Sequence, residues 1–238
     1  MQVVWICRQM DLDIEFQIVR TKNTRRPEMT QERINNNTFG RTSVGSKVEN
    51  FTMATYEPEK GTFGEFKLDE QLAAKRWTVL FFYPADFTFV CPTELADLAA
   101  KHAELKEMGV DVVSVSTDTQ YVHLGWTKDE KLLKNVAYTM AADPTGEVSR
   151  MFGVYDDATG LALRGTFIIN PDGVLVGSET NFYNVGRNAD ELLRKMKAYL
   201  YVFKNPSEAC PAKWDEGQTT LKPGEALVGK VAQALGLG

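Results

Sequence analysis

A layered α/β domain, with a sheet covered by helices, is the fold class this sequence predicts. Two observations carry it: short runs of β-branched and aromatic residues alternate with longer amphipathic stretches, and the connections between them are short. A third is ordinary globular composition. With 238 residues, 43% of them hydrophobic and 25% charged, the chain can bury a sizeable core in one domain or at most two.

Residues 1–43 stand apart from this pattern. The stretch from Arg20 to Thr38 (RTKNTRRPEMTQERINNNT) is polar and charged, without apolar periodicity, so 1–43 reads as a poorly ordered extension. Strand-like and helix-like segments alternate from Val44 onward. Trp77–Tyr83 (WTVLFFY), Val110–Ser116 (VDVVSVS) and Gly165–Asn170 (GTFIIN) have the make-up of buried strands, each bounded by turn residues. Between the first two, a helix is predicted from about Thr93 to Met108, with Leu95, Leu98, Leu105 and Met108 on one stripe and Gly109 as its stop. A further helix is predicted near His123. Another runs over Ala189–Phe203, where Leu192, Met196, Tyr199 and Phe203 have core spacing and Asn188 and Glu191 stand as a cap and its partner. After Phe203 the chain turns rich in Pro, Gly and Lys, which suggests a surface arm over 204–238 and leaves 44–203 as the folded domain.

Composition excludes several classes of function. A net charge of −5 with mixed signs lacks the basic footprint of nucleic-acid binding. No apolar run approaches the roughly 20 residues that span a bilayer, and the opening MQVVWICRQMDLDIEF carries acids where a secretory signal needs an apolar stretch, so a cytoplasmic protein without membrane partners is expected. Cys7, Cys91 and Cys210 are too few and too scattered for a disulfide scaffold, and no close Cys/His doublet suggests a metal site. Nor is there a flavin or nicotinamide signature, so no cofactor is expected.

Chemistry concentrates around Cys91. The segment Tyr83–Glu94 (YPADFTFVCPTE) joins the end of the first strand to the start of the first helix, where an open α/β sheet binds ligands and unpaired N–H groups face outward. Pro92 suits the first helical turn because its missing N–H has no partner there. A helix N-terminus favours a thiolate. It is not enough alone: lowering a thiol pKa from about 8.5 to about 6 takes roughly 3.4 kcal/mol, and a helix end supplies about 0.3–1, at most about 2. A cation is therefore needed, and Arg164, at the head of the GTFIIN run, is the first candidate, with Arg150 and Arg187 in reserve. Attack on an O–O bond leaves charge on the departing oxygen, where donors from Thr88 and Arg164 would help.

The run FYPADFTFVCPTE, with Pro84, Thr88 and Cys91 spaced as P-x-x-x-T-x-x-C, resembles the peroxidatic signature of the peroxiredoxins. EACPAKW around Cys210 resembles the resolving-cysteine signature of their typical two-cysteine subgroup, and similarity continues through VSTDTQYVHLGW, DPTGE, RGTFIINPDG and VGRNADELLRK, about residues 44 to 231. The resemblance implies a thioredoxin-like fold with a central mixed sheet. It implies Cys91 as the peroxidatic residue, Pro84 shielding it, Thr88 and Arg164 binding the hydroperoxide, and Glu94 and Arg187 supporting them. It further implies that Cys210 resolves the oxidised Cys91 across a homodimer, which in this subgroup also assembles into rings of five dimers. Electrons would come from an external dithiol, a flavoprotein disulfide reductase or thioredoxin. The extension 1–43 and Cys7 inherit no role.

Taken without that resemblance, the same residues have plainer readings. Thr88 is a turn or capping residue, Arg164 a surface charge, Glu94 a favourable acid in a first helical turn, and His102 and His123 are structural. Tyr83, Phe87 and Phe89 read as core. Other functions fit the chain less well: a thioredoxin-like disulfide oxidoreductase lacks its C-x-x-C, and a chaperone-like oligomer leaves no mark in sequence.

Overall fold

The structure, a computed structural model, describes residues 42–237. The predicted extension falls almost wholly outside the described residues, as does Cys7. Strands β1 (Thr52–Glu57) and β2 (Thr62–Lys67) form a hairpin, followed by α1 (Leu68–Ala73) and the central strand β3 (Trp77–Phe82). Helix α2 (Cys91–Glu107) leads to β4 (Val110–Ser116), and α3 (Gln120–Asp129) with a 3₁₀ turn leads to β5 (Thr139–Ala142). The chain continues through α4 (Glu147–Met151), the small hairpin β6 (Tyr155–Asp156) and β7 (Leu161–Ala162), the pair β8 (Arg164–Ile169) and β9 (Leu175–Asn181), and α5 (Ala189–Lys204). A short helix α6 (Val231–Ala234) lies near the C-terminus.

Seven strands form one mixed sheet in the order β2-β1-β5-β4-β3-β8-β9. The pairs β3–β4 and β4–β5 are parallel, and each needs a crossover helix, supplied by α2 and α3. The pairs β3–β8 and β8–β9 are antiparallel. All six residues of β3 are buried, because both faces of the sheet are covered. Trp77, Val79 and Phe81 face the side covered by α2, α3 and α5, with Leu95, Leu98, Leu105, Trp126 and Met196. Leu80 and Phe82 face the other side with Leu68, Phe152 and Phe167. Each large side chain buried this way contributes about 1.5–3 kcal/mol.

The predicted strands and helices are present, with ends displaced by one or two residues. Gly109, at φ +82°, follows α2 in the left-handed conformation that favours glycine, and Asn188 Oδ1 accepts from Asp190 N–H and Glu191 N–H to cap α5. The region after α5 folds back on that helix. Ala209 and Leu221 exchange backbone hydrogen bonds at 2.8 and 2.9 Å, and Trp214 is buried against Tyr201, with ring centroids 5.2 Å apart. Among the described residues no helix is long and apolar enough to cross a membrane.

Candidate active site

Topology brings three segments to one end of the sheet. The chain leaves β3 at Phe82, and because β8 runs antiparallel to β3, the first residue of β8, Arg164, comes beside that exit. Strand β9 turns the chain once more: Asn181, its last residue, pairs with Arg164, so the following loop, 182–188, arrives at the same end. Cys91 is the first residue of α2 and has no exposed surface.

Arg164 Nη1 lies 3.4 Å from Cys91 Sγ and 2.5 Å from Glu94 Oε2. Glu94 also holds Arg187, through Nε at 2.8 Å, Nη2 at 3.2 Å and the backbone N–H at 2.9 Å. Arg187 Nη1 donates to Gly165 O and Thr166 Oγ1, and its guanidinium stacks 3.3 Å above the Phe81 ring. Burial pulls the Arg187 guanidinium below its ordinary value, with Glu94 opposing, yet an arginine starts so high that it stays charged. All three side chains are nearly inaccessible. Two guanidinium groups and one carboxylate sum to one positive charge, and an anion at Cys91 Sγ brings the buried cluster to neutrality.

Thr88 and Pro84 lie on the loop that precedes α2. Pro84 is buried, and the Thr88 hydroxyl donates to Ala85 O at 2.8 Å. That bond differs from the expected part of Thr88 as a donor: its single proton is engaged, which leaves Oγ1 as an acceptor. Arg164 keeps spare donors, since Nη2 makes no hydrogen bond to the described residues. Arg150 does not join the site; it stacks on Tyr155 and pairs with Asp157. Cys210 does not join it either. Its sulfur lies 4.0 Å from Ala198 O on α5, and both cysteines are free thiols.

Beneath the loop lies a buried polar cluster that sequence reasoning did not assemble. Asp86 and His123 meet at 2.8 Å with both side chains inaccessible, Tyr83 O–H donates to Asp86 Oδ1 at 2.6 Å, and Asp118 Oδ2 accepts from Asp86 N–H at 2.9 Å. Burial pushes the Asp86 carboxyl up, with the His123 and Tyr83 bonds opposing it. His123 is thus structural as expected, but on behalf of the site loop. Asp86 stood in the quoted motif; its partner His123, on α3, left no signal there. The expectation that Tyr83, Phe87 and Phe89 are all core holds only for Tyr83. Phe87 is 56% exposed and Phe89 93% exposed, because the loop turns both outward, Phe87 at φ +54° in a region costly for a bulky residue.

The model of the AhpC/TSA family matches residues 44–178. An alkyl hydroperoxide reductase C of Staphylococcus aureus is 49% identical over 188 residues, 79% of this chain and 98% of that protein. Among solved structures, Enterococcus faecalis AhpC matches with a TM-score of 0.67 and 39% identity, over 71% of this chain and 99% of its own. The reduced 2-Cys peroxiredoxin of Plasmodium vivax matches with a TM-score of 0.73 and 32% identity, over 78% of this chain and 95% of its own. A thioredoxin-like mixed sheet, a buried thiol at the first turn of α2 and a family match over more than half of the sequence agree: the chain belongs to the AhpC/TSA family, the peroxiredoxins.

Proposed function

We propose that this chain reduces hydrogen peroxide and small alkyl hydroperoxides in a two-step cycle run by Cys91 and Cys210. Thiol-dependent peroxidase activity in antioxidant defence comes with membership of the family; the residue roles are the proposal. The Cys91 thiolate attacks one peroxide oxygen, the O–O bond breaks, and the other oxygen leaves as water or an alcohol once protonated, with Cys91 oxidised to a sulfenic acid. Arg164 stabilises the thiolate and donates to the departing oxygen, Thr88 accepts from the peroxide O–H, and Pro84 limits water. Glu94 and Arg187 hold Arg164 in place. The observation that carries the reading is the 3.4 Å contact from Arg164 Nη1 to a fully buried Cys91 sulfur, inside a cluster with one uncompensated positive charge.

The second step belongs to Cys210, on the C-terminal arm that 204–238 forms beside the 44–203 domain. Its thiol attacks the sulfenic acid, water leaves, and a disulfide forms that an external dithiol, a flavoprotein disulfide reductase or thioredoxin then reduces. The Cys210 sulfur lies against α5, 4.0 Å from Ala198 O, and is not joined to Cys91 of its own chain, which supports resolution by the arm of a second copy in a homodimer. The exposed apolar residues Phe182 and Val185 beyond the edge strand β9, and Phe87 and Phe89 on the site loop, offer surfaces for a dimer and for a ring of five dimers. A cycle that returns two thiols at each turnover suits a reducing compartment, so the proposed location is the cytoplasm.

Peroxide consumption with a dithiol reductant tests the assignment. Cys91→Ser abolishes it, and Cys210→Ser, assayed without the dithiol, consumes one equivalent of peroxide at Cys91 and stops at the sulfenic acid. Full activity in Cys91→Ser contradicts the proposal.

A further inference from the structure

We propose that Tyr183 is a positioning residue for the Cys91 site, a latch that holds Arg164 in the orientation from which it serves the thiol; the inference rests on the role given to Arg164 above. Arg164 is gripped on two edges of its planar fork. Glu94 takes Nη1, and on the opposite edge Nε donates to the backbone carbonyl of Tyr183 at 2.7 Å. With both edges held the guanidinium plane is fixed, Nη1 stays on Cys91 Sγ, and Nη2 is left without a partner among the described residues. The direction of this arginine therefore depends on where one carbonyl of the 182–188 loop stands.

Backbone structure does little to fix that carbonyl. The loop forms no helix or strand, and one turn bond, from Val185 N–H to Phe182 O at 3.2 Å, closes it; Phe182 and Val185 point into solvent. Arg187 anchors the far end of the loop on Glu94 and Val185 O accepts from Asn181 Nδ2 at 3.4 Å, but at Tyr183 itself the tie is the phenol. Its O–H donates to Asp156 Oδ2 at 2.8 Å and lies 2.8 Å from Thr159 Oγ1, which in turn is 3.1 Å from Asp156 Oδ2. The Tyr183 bond is the largest influence holding the Asp156 carboxyl below its ordinary value, so the contact is felt at both ends. Asp156 is itself fixed, accepting from Ala158 N–H at 2.9 Å.

Asp156 and Thr159 belong to the β6–β7 hairpin, which pairs with no strand of the main sheet. Its second strand ends at Ala162, and after the single residue Leu163 the chain reaches Arg164, with Leu163 N–H bonded to Val154 O at 2.7 Å across the base of the hairpin. A closed circuit results: the hairpin carries Arg164 at its exit, holds the Tyr183 phenol by its side chains, and through Tyr183 returns to Arg164 by a carbonyl. Such a circuit gives an otherwise isolated hairpin a reason to exist at the site's edge.

The test uses the full-length reduced chain in single turnover with hydrogen peroxide, reading oxidation of Cys91 and its resolution by Cys210 as separate phases. Tyr183→Phe keeps the ring and the carbonyl but loses the latch, and Asp156→Ala loses it from the other side. Both slow Cys91 oxidation about fivefold, the factor that one ordinary hydrogen bond is worth, without changing the resolution phase. Asp156→Asn, which keeps a hydrogen-bonding side chain of the same shape, restores most of the rate. Wild-type oxidation rates in Tyr183→Phe and Asp156→Ala overturn the latch. So does a slowing that tracks a fall in thermal midpoint, with Asn no better than Ala at position 156. If the wild-type chain fails to oxidise at Cys91, the underlying reading falls instead, which separates the two failures.

Discussion

Cys91 sits without exposed surface at the head of α2, with Arg164 on its sulfur and a carboxylate and a second arginine behind. Cys210 sits half-buried on an arm laid over α5, its sulfur near one carbonyl. The anchors of that arm are of another kind. Glu208 accepts from Tyr201 O–H at 2.7 Å and from the Thr220 hydroxyl, Arg194 donates to Trp214 O at 2.6 Å, and Trp214 fills a single site under the arm. Remove the Glu94 carboxylate and both guanidinium groups are left buried without a partner. Remove an anchor of the arm and a surface segment comes away from a helix that stays folded. The proposed cycle needs that difference, because the first thiol acts from a fixed place and the second travels to it.

The largest expected effect breaks the Cys91 side. Glu94→Gln leaves two buried guanidinium groups without their carboxylate, which costs about 3–5 kcal/mol of stability and slows Cys91 oxidation about a hundredfold through lost positioning. Chemical denaturation and stopped-flow kinetics measure the two. The substitution also adds a net positive charge, so a rate that rises would mean that charge outweighs position at this site.

A middle-sized effect loosens the Cys210 side. Trp214→Ala removes an aromatic anchor worth about 3–5 kcal/mol in a packed setting, but the loss is local. Limited proteolysis cuts the chain between Asn205 and Leu221 faster, while the first phase of peroxide reaction, at Cys91, stays at its wild-type rate. A matching loss in that phase would show that the arm and the Cys91 site are one unit rather than two.

The smallest effect concerns pH. Burial first, and the Glu208 carboxylate second, hold the Cys210 thiol above its ordinary value, with Arg194 opposing. Attack by Cys210 requires its thiolate, so the resolution rate climbs as pH rises toward that raised value. Glu208→Gln removes the negative charge, lets the thiol ionise more readily, and moves the profile to lower pH, while oxygen acceptance from Tyr201 is retained. An unmoved profile would remove Glu208 from the account of Cys210.

The two regions were also unequally legible in the sequence. Strand β3 and its fellows β4 and β8 could be read because strands buried on both faces are short runs rich in β-branched and aromatic residues. Strand β2 could not: TFGEFK is mostly exposed at the sheet's edge, and β5 is the four residues TMAA, too short and too plain to carry a pattern. Cys91, Arg164, Glu94 and Arg187 lay within reach of motif reasoning. Their mutual contact was not, because Arg187 meets Glu94 only after β8 and β9 have each reversed the chain. Asp86 with His123, and Tyr183 with Asp156, are pairings between segments distant in sequence, and only the register of the sheet and the turn of a loop reveal them. Phe87 and Phe89 misled for a local reason: apolar residues beside a buried thiol read as core until the backbone turns them outward.

One measurement bears most directly on the claim that a fixed thiol and a travelling thiol from two chains make one active site. Cys91→Ser and Cys210→Ser chains are mixed, allowed to exchange subunits, treated with one equivalent of hydrogen peroxide, and weighed by mass spectrometry without reductant. The account predicts a disulfide-linked dimer of one chain of each kind, joined through Cys91 of the one and Cys210 of the other, and peroxidase turnover that neither variant shows alone. A wild-type chain oxidised under the same conditions to a monomer with an internal Cys91–Cys210 disulfide, and a mixture that stays unlinked and inactive, would contradict it.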